Sequence, residues 1–303
     1  MENVLTEEQV NQALKRKRIK ARINKIIVMA LVYFVLLLMY LPLIYITIYS
    51  FTTSKTTGIW GGFSFDNYTT LFNYKGNLVA QKIWNAAKNT ALVALSAALV
   101  STILGALGAI GIYYTRKKWI RSTLEYVNQI PVVNAEIVTA VALCVLFVIL
   151  SKAFGWERSF LTLVIGHVVL SLPYVVLSVE PKLEQMDPSI YEAAMDLGAT
   201  QTQALFKVII PDIVPGILTG FLLSITLSLD DYVITAFTRP TVGGFDTIST
   251  YVDAATAKGP LPTQLRAFTA ILFAVILIVM IIMNIRNAKK SNALNKKEKN
   301  KNA

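Results

Sequence analysis

Cysteine and histidine are almost missing from this chain. Cys144 stands alone, which excludes a disulfide framework and any cysteine-based zinc site. His167 is equally solitary, so no histidine cluster can hold a metal. Charge is scarce too: 16% of the 303 residues are charged, where about 25% is usual in soluble domains. No Gly-x-x-x-x-Gly-Lys-Ser/Thr loop is present to cradle nucleotide phosphates. The glycines Gly105, Gly108 and Gly111 lie in an apolar run with no lysine after them, and read as close helix packing. Gly216 and Gly220 have the same reading. No internal repeat is visible.

What the chain has in abundance is apolar residues, 54% of the total, with a mean hydropathy of +0.55. A spanning helix needs about 20 apolar residues, because the hydrocarbon layer is about 30 Å thick. Four uncharged runs meet that length: Ile26–Ile48, Asn89–Thr115, Ser159–Val179 and Ala267–Ile285. Two more are interrupted. Val127–Ser151 contains Glu136, and Ile213–Phe237 contains Asp230 and Asp231. The expectation is an all-α polytopic membrane protein with six transmembrane helices. The first run is too long for a signal peptide and no small-residue cleavage site follows it, so it reads as a retained span.

The net charge of +11 is not a nucleic-acid face. Of the 29 Lys and Arg residues, seven fall in residues 1–25 and seven in 286–303. Arg116, Lys117, Lys118 and Arg121 crowd a short loop between the second and third spans. The excess of Lys and Arg on cytoplasmic segments then predicts that both termini are on the cytoplasmic side of the cell membrane. The aromatics Trp60, Phe63, Phe65, Tyr68, Phe72 and Tyr74 fall in an outer segment and read as headgroup-level anchors. The tail Lys289–Lys301 is rich in Lys and Asn and reads as a solvated, disordered end.

The longest inner loop, between spans four and five, reads Tyr191-Glu192-Ala193-Ala194-Met195-Asp196-Leu197-Gly198-Ala199 and runs on to Val208-Ile209-Ile210-Pro211. Pro188 suits a helix start and Gly198 a stop or a tight contact. A second short helix, Gln203–Ile210, is expected to end before Pro211. The two alanines and the glycine offer a smooth surface for another protein, and Glu192 offers one charge.

That loop resembles the permease subunits of ATP-binding-cassette importers. Their pattern is Glu-Ala-Ala, three residues, Gly, nine residues, then Ile-x-Leu-Pro. Glu192, Ala193, Ala194, Gly198 and Pro211 match it, with Val208 and Ile210 as conservative departures. Trp84-Asn85, Asn89 through Ala94, Ser101-Thr102, Gly105 and Ala109 extend the likeness. Leu227-Ser228-Leu229-Asp230-Asp231-Tyr232-Val233 and Ile130-Pro131 are similar to spermidine/putrescine permeases of the C-subunit type. Arg239-Pro240 and Asp246-Thr247 depart from that pattern.

The resemblance implies a type I ABC importer permease (MetI-like) architecture: a basic cytoplasmic segment 1–25, a six-helix permease domain 26–287 with a coupling loop about 184–213, and a basic tail 288–303. It implies a transporter subunit and no enzyme, with polyamine uptake by alternating access. Glu192, Ala193, Ala194, Leu197, Gly198 and Pro211 would couple to the ATPase. It also implies a sibling permease, two copies of a cytoplasmic ATPase that carry the ATP and Mg, and an extracytoplasmic polyamine-binding protein. No cofactor or metal is expected on this chain. Other small solutes, such as ferric ion, sulfate or phosphonate, are alternative cargoes.

Ionisable residues inside the bilayer are costly and mark pathways or pairs. Asp230, Asp231 and Tyr232, with Glu136, are the candidates for a cationic substrate path. Asp230 and Asp231 have a second reading as a helix cap, or as an ion pair with Arg239 or Arg266. Glu136 equally suits a pair with a neighbouring helix, and Glu180 a solvated inner end of span four. His167 fits a proton relay or a hydrogen bond to another span. An intramembrane aspartyl protease needs acids from two helices, and adjacent Asp230 and Asp231 are poor geometry for that. Serine chemistry would need His167 beside a serine. A membrane scaffold is a third class, one with no use for acids in span five.

Overall fold

The computed structural model describes residues 7–56, 58–240 and 243–301. Among them every regular element is a helix. Six helices are long and apolar enough to cross a membrane: Ile19–Tyr49, Leu78–Tyr113, Glu136–Phe154, Phe160–Gln185, Gln201–Asp230 and Thr263–Arg286. The chain divides into two compact units, residues 1–77 with 260–303, and residues 78–259.

In the first unit, α1 (Glu7–Tyr49) and α12 (Thr263–Lys301) pack together, with the short α2 (Asp66–Phe72) against α12. Helix α1 takes in basic residues before the first span, so the helix runs unbroken from them into the span. Its Ile, Leu and Val side chains stay exposed along the run. In hydrocarbon that exposure carries no penalty, while the backbone must be satisfied within the helix. The aromatic segment folds onto itself: Phe51 stacks on Phe63 at 5.5 Å, and Phe65 meets both rings edge-on. Asn67 fixes this loop by donating to the carbonyls of Ser50 and Thr52, at 2.7 and 2.9 Å. Arg266 donates to the carbonyls of Ser54 and Lys55. The tail expected to be disordered is helical through Lys301. Residues 263–301 contain neither Gly nor Pro, so nothing breaks the helix.

The second unit is built on α3 (Leu78–Tyr113), α6 (Phe160–Gln185) and α9 (Ile210–Asp230), which pack on one another most extensively. Small residues permit the approach. An added Cβ at Gly105 would lie 2.7 Å from Val175, and one at Gly220 would lie 3.1 Å from the Val175 Cα. One at Gly216 would lie 2.8 Å from the Ser178 carbonyl. Close packing therefore holds for Gly105, Gly216 and Gly220. It does not hold for Gly111, which faces open space, and Gly108 makes only ordinary contact. The small residues Ala94, Ala97, Ala98 and Ser101 continue the buried stripe of α3.

Two spans differ from the sequence expectation. The run Val127–Ser151 is not one helix. It is divided between α4 (Lys118–Val133) and α5 (Glu136–Phe154), and Asn134 and Ala135 are extended between them. The run Ile213–Phe237 ends at Asp230, and α10 (Val233–Thr238) follows after Asp231 and Tyr232. The expected short helix Gln203–Ile210 does not stop at Pro211 either. Helix α8 (Gln201–Ala204) leads through a π-helical stretch, Leu205–Ile209, straight into α9. The widened turn lies where Pro211 has no N–H to give, so the helix passes through.

Candidate functional site

The two interrupted spans face one another. Between the α4–α5 break, α6 and the α9–α10 break lies a cavity of about 450 Å³. Its lining includes Asn134, Glu136 and Thr139 from one break, Leu170 and Tyr174 from α6, and Thr226, Asp230, Asp231 and Tyr232 from the other. All four residues named from sequence as a substrate path, Glu136, Asp230, Asp231 and Tyr232, are brought together here. Transporter sites are often built from discontinuous helices of this kind.

The three acids are not equivalent. Glu136 does not interrupt a continuous span as expected; it is the first residue of α5, exposed and lining the cavity. Asp231 is buried and caps α10. It accepts from the backbone N–H of Ile234 at 3.0 Å, from that of Thr235 at 2.8 Å and from the Thr235 hydroxyl at 2.8 Å. The cap reading therefore holds for Asp231, whose side chain has no solvent exposure. Glu136 and Asp231 line the same cavity. Asp230 is exposed, at the last position of α9. A helix C-terminus carries partial negative charge and favours a cation, whereas helix N-termini compensate the charges of Glu136 and Asp231. Neither arginine considered as a partner takes up this role: Arg239 pairs with Asp246 at 2.7 Å, and Arg266 is engaged by loop carbonyls of the first unit. The carboxylate of Asp253, in α11 (Ile248–Thr256), holds the Tyr232 proton above the ordinary tyrosine range.

His167 is buried in α6, as a hydrogen-bonded bridge between spans. Its Nε2 is 2.9 Å from Thr235 Oγ1 and its Nδ1 is 2.8 Å from Ser228 Oγ. Asp231 Oδ2 is 3.6 Å from Nε2. Serine, imidazole and carboxylate thus lie in series, but all three are buried, so a substrate bond cannot reach Ser228. Sequence reasoning missed Ser228, Thr235 and Tyr174. The spacing of Asp231 to Thr235, one helical turn, was the available cue for the cap.

The loop carrying Glu192 forms α7 (Pro188–Asp196), with Pro188 in its first turn as expected. Asp187 caps it by accepting from the Ser189 N–H at 2.9 Å. Gly198 ends it with φ +86°, and the N–H groups of Gly198 and Ala199 return to the carbonyls of Met195 and Ala194. That is a Schellman stop, which requires a left-handed residue. Glu192, Ala193, Leu197 and Gly198 are exposed and Ala194 is half-buried. Leu197 is 90% exposed, a large apolar side chain at the end of a short polar-flanked helix. Glu180 is not simply solvated. Arg121 sits between Glu125 at 2.7 Å, Glu184 at 3.2 Å and Glu180 at 4.0 Å. The Glu125 bond pushes the Arg121 guanidinium further up from its ordinary value.

Six apolar spans, a cavity at two broken helices and an exposed short helix between spans define a polytopic membrane permease. The chain belongs to the family of binding-protein-dependent transport system inner membrane components, which matches residues 101–289. It is therefore a permease subunit of an ABC importer and not an enzyme. In such an importer it works with a sibling permease and a partner ATPase. It is similar to the putrescine transport system permease protein PotI of Escherichia coli K12, 33% identical over 79% of this chain and 83% of that one. It is also similar to the spermidine/putrescine transport system permease protein PotC of Haemophilus influenzae, 33% identical over 66% of this chain and 73% of that one. The fold matches the crystal structure of a bacterial ABC transporter involved in the import of the acidic polysaccharide alginate. There the TM-score is 0.60 at 16% identity, covering 88% of this chain and 97% of that one.

Proposed function

We propose that this permease conducts polyamines such as putrescine and spermidine through the cavity between its two broken helices. One observation carries the reading: the exposed Asp230 carboxylate sits on the C-terminal end of α9, opposite Glu136, in a cavity that Tyr174 and Tyr232 also line. A helix C-terminus and a carboxylate together favour an ammonium group. Tyrosine faces add cation–π attraction for an aminoalkyl chain. Sulfate or phosphonate would meet like charge there. The names of the PotI and PotC relatives support the same substrate class.

On this reading both termini are cytoplasmic, and α7 is the coupling helix. Glu192, Ala193, Ala194 and Leu197 form the face that a cytoplasmic ATPase grips, Gly198 stops the helix, and Pro211 starts the lever into α9. Two ATPase copies would close on nucleotide and rock α6 and α9, which flank α7 in the chain. The cavity would then open outward to accept a polyamine from an extracytoplasmic binding protein, and hydrolysis would return it. Nucleotide drives this only through different affinity for the two states.

The test is uptake of radiolabelled putrescine into proteoliposomes that hold the complete importer. Asp230→Asn and Glu136→Gln should each cut uptake at least about tenfold, as befits loss of a charged partner, with nucleotide hydrolysis retained. Wild-type uptake by both variants would refute the cationic path. Leu197→Cys should crosslink to the ATPase in the assembled complex; labelling of that cysteine from the outside would refute the orientation.

A further inference from the structure

His167 lies outside the cavity, yet it is joined to Asp231, one of the cavity's residues, by an unbroken series of hydrogen bonds. The directions of those bonds follow from proton bookkeeping. Thr235 has one hydroxyl proton, and the Asp231 carboxylate, an acceptor, takes it at 2.8 Å. Thr235 Oγ1 must then accept from its other neighbour, so His167 Nε2 carries the ring proton and donates across 2.9 Å. Nδ1 is left as an acceptor, and the Ser228 hydroxyl donates to it across 2.8 Å. Three donors in sequence, Ser228, His167 and Thr235, point one way, toward Asp231.

The series also ties together separate pieces of the fold. Ser228 belongs to the last turns of α9, His167 to α6, and Thr235 and Asp231 to α10 and its cap. The α9–α10 break is therefore held from behind by a side chain of α6. The Asp231 carboxylate in turn ties the break to the first turn of α10, through the Ile234 and Thr235 N–H groups and the Thr235 hydroxyl. A further bond, from the Ser249 hydroxyl to the Asp231 carbonyl at 2.8 Å, fixes the backbone but not the carboxylate.

We infer that His167 is a positioning residue for substrate transfer: through Thr235 it holds the buried Asp231 carboxylate, and with it the α9–α10 break, so that the neighbouring Asp230 faces a cationic substrate. The inference rests on the cavity being the substrate path. His167 touches no substrate itself. It acts as a fixed Nε2–H tautomer whose single role is to aim a donor at Thr235. Hydrogen-bonded series of this kind are judged by coupling between substitutions, because single deletions do not apportion them.

The experiment uses the complete importer in proteoliposomes, with radiolabelled putrescine, and normalises uptake to the amount of assembled complex. His167→Leu and Thr235→Val each cut the series, and each should lower uptake roughly fivefold, the worth of one hydrogen bond. The double variant should be no slower than either single one, because both remove the same constraint. His167→Gln, which can still offer an N–H to Thr235, should restore most of the rate. A purely structural histidine predicts otherwise: less assembled complex, an unchanged rate per complex, losses that multiply in the double variant, and no rescue by glutamine. Any of these last three would overturn the inference. Should His167→Leu fail to assemble, Thr235→Val and His167→Gln still decide it, since the first must fall and the second must not. The two proposals fail differently. Wild-type uptake by Glu136→Gln and Asp230→Asn removes the path and the inference with it. Loss in those variants, with normal uptake by His167→Leu and Thr235→Val, removes the inference alone.

Discussion

Ser101 Oγ on α3 and Ser224 Oγ on α9 are 2.7 Å apart, each side chain fully buried. The bond crosses between two spans, and because Ser101 also donates to the Ala98 carbonyl at 3.2 Å, the Ser224 hydroxyl is the donor across the crossing. It sits one turn from the Gly105–Val175–Gly220 contact, so polar and small-residue packing act on the same crossing. Interspan hydrogen bonds average about 0.6 kcal/mol in double-mutant cycles. Ser101→Ala and Ser224→Ala should therefore be non-additive by about that amount. Thermal unfolding in detergent checks it. Strict additivity would mean that the two hydroxyls do not depend on each other.

Val175 is the shared knob of the three-helix core. It is fully buried, and both Gly105 and Gly220 open onto it. Gly105→Ala would put a methyl group 2.7 Å from Val175, and overpacking of this kind costs about 1–3 kcal/mol. The loss should appear as a lower unfolding temperature and be recovered in part by Val175→Ala. Gly111→Ala, which faces open space, is the matched control and should be neutral. Equal effects at positions 105 and 111 would show that helix propensity, not contact, governs both.

The four uncharged spans were legible because twenty apolar residues in a row have only one use. The two breaks were not. Apolar residues continue across Asn134–Ala135 and across Asp231–Tyr232, so hydropathy runs through them without a dip wide enough to see. Pro131 lies inside α4 and Pro211 in the first turn of α9, so neither proline marks a break itself. The pairing of acids was legible as composition: Glu136, Asp230, Asp231 and Tyr232 line one cavity. Their division of labour was hidden, because burial of Asp231 and exposure of Asp230 depend on a turn between adjacent residues. His167, Ser228 and Thr235 meet across 61 and 68 positions of sequence, a distance that no local pattern encodes.

Gly198 illustrates a residue whose role is conformational. An added Cβ there would meet nothing within 4 Å, but φ is +86°. A left-handed residue other than glycine costs about 1–2 kcal/mol, less for Asn. Gly198→Ala should therefore fray the last turn of α7, and Gly198→Asn should do so less. Hydrogen exchange at the Gly198 and Ala199 amides reads this directly, since both bond back to α7. Identical exchange in the wild type and both variants would show that the stop is not set by this glycine.

The start of the same helix carries a pH dependence of known sign. The Ser189 N–H donates to Asp187, and this holds the Asp187 carboxyl below its ordinary value in the folded chain. A carboxyl depressed by folding contributes stability that is fully present above its unfolded value and fades as pH falls through the folded one. Protection of the first turn of α7 should thus be flat from neutral pH down to the ordinary aspartate range, then decline as acidity increases further. Asp187→Asn keeps a good capping side chain but has no proton to gain. In that variant the protection of Ser189, corrected for intrinsic exchange, should stay level across the same acid range. A decline of equal steepness in both proteins would place the acid sensitivity elsewhere, and the cluster of Glu125, Glu180 and Glu184 around Arg121 would be the first place to look.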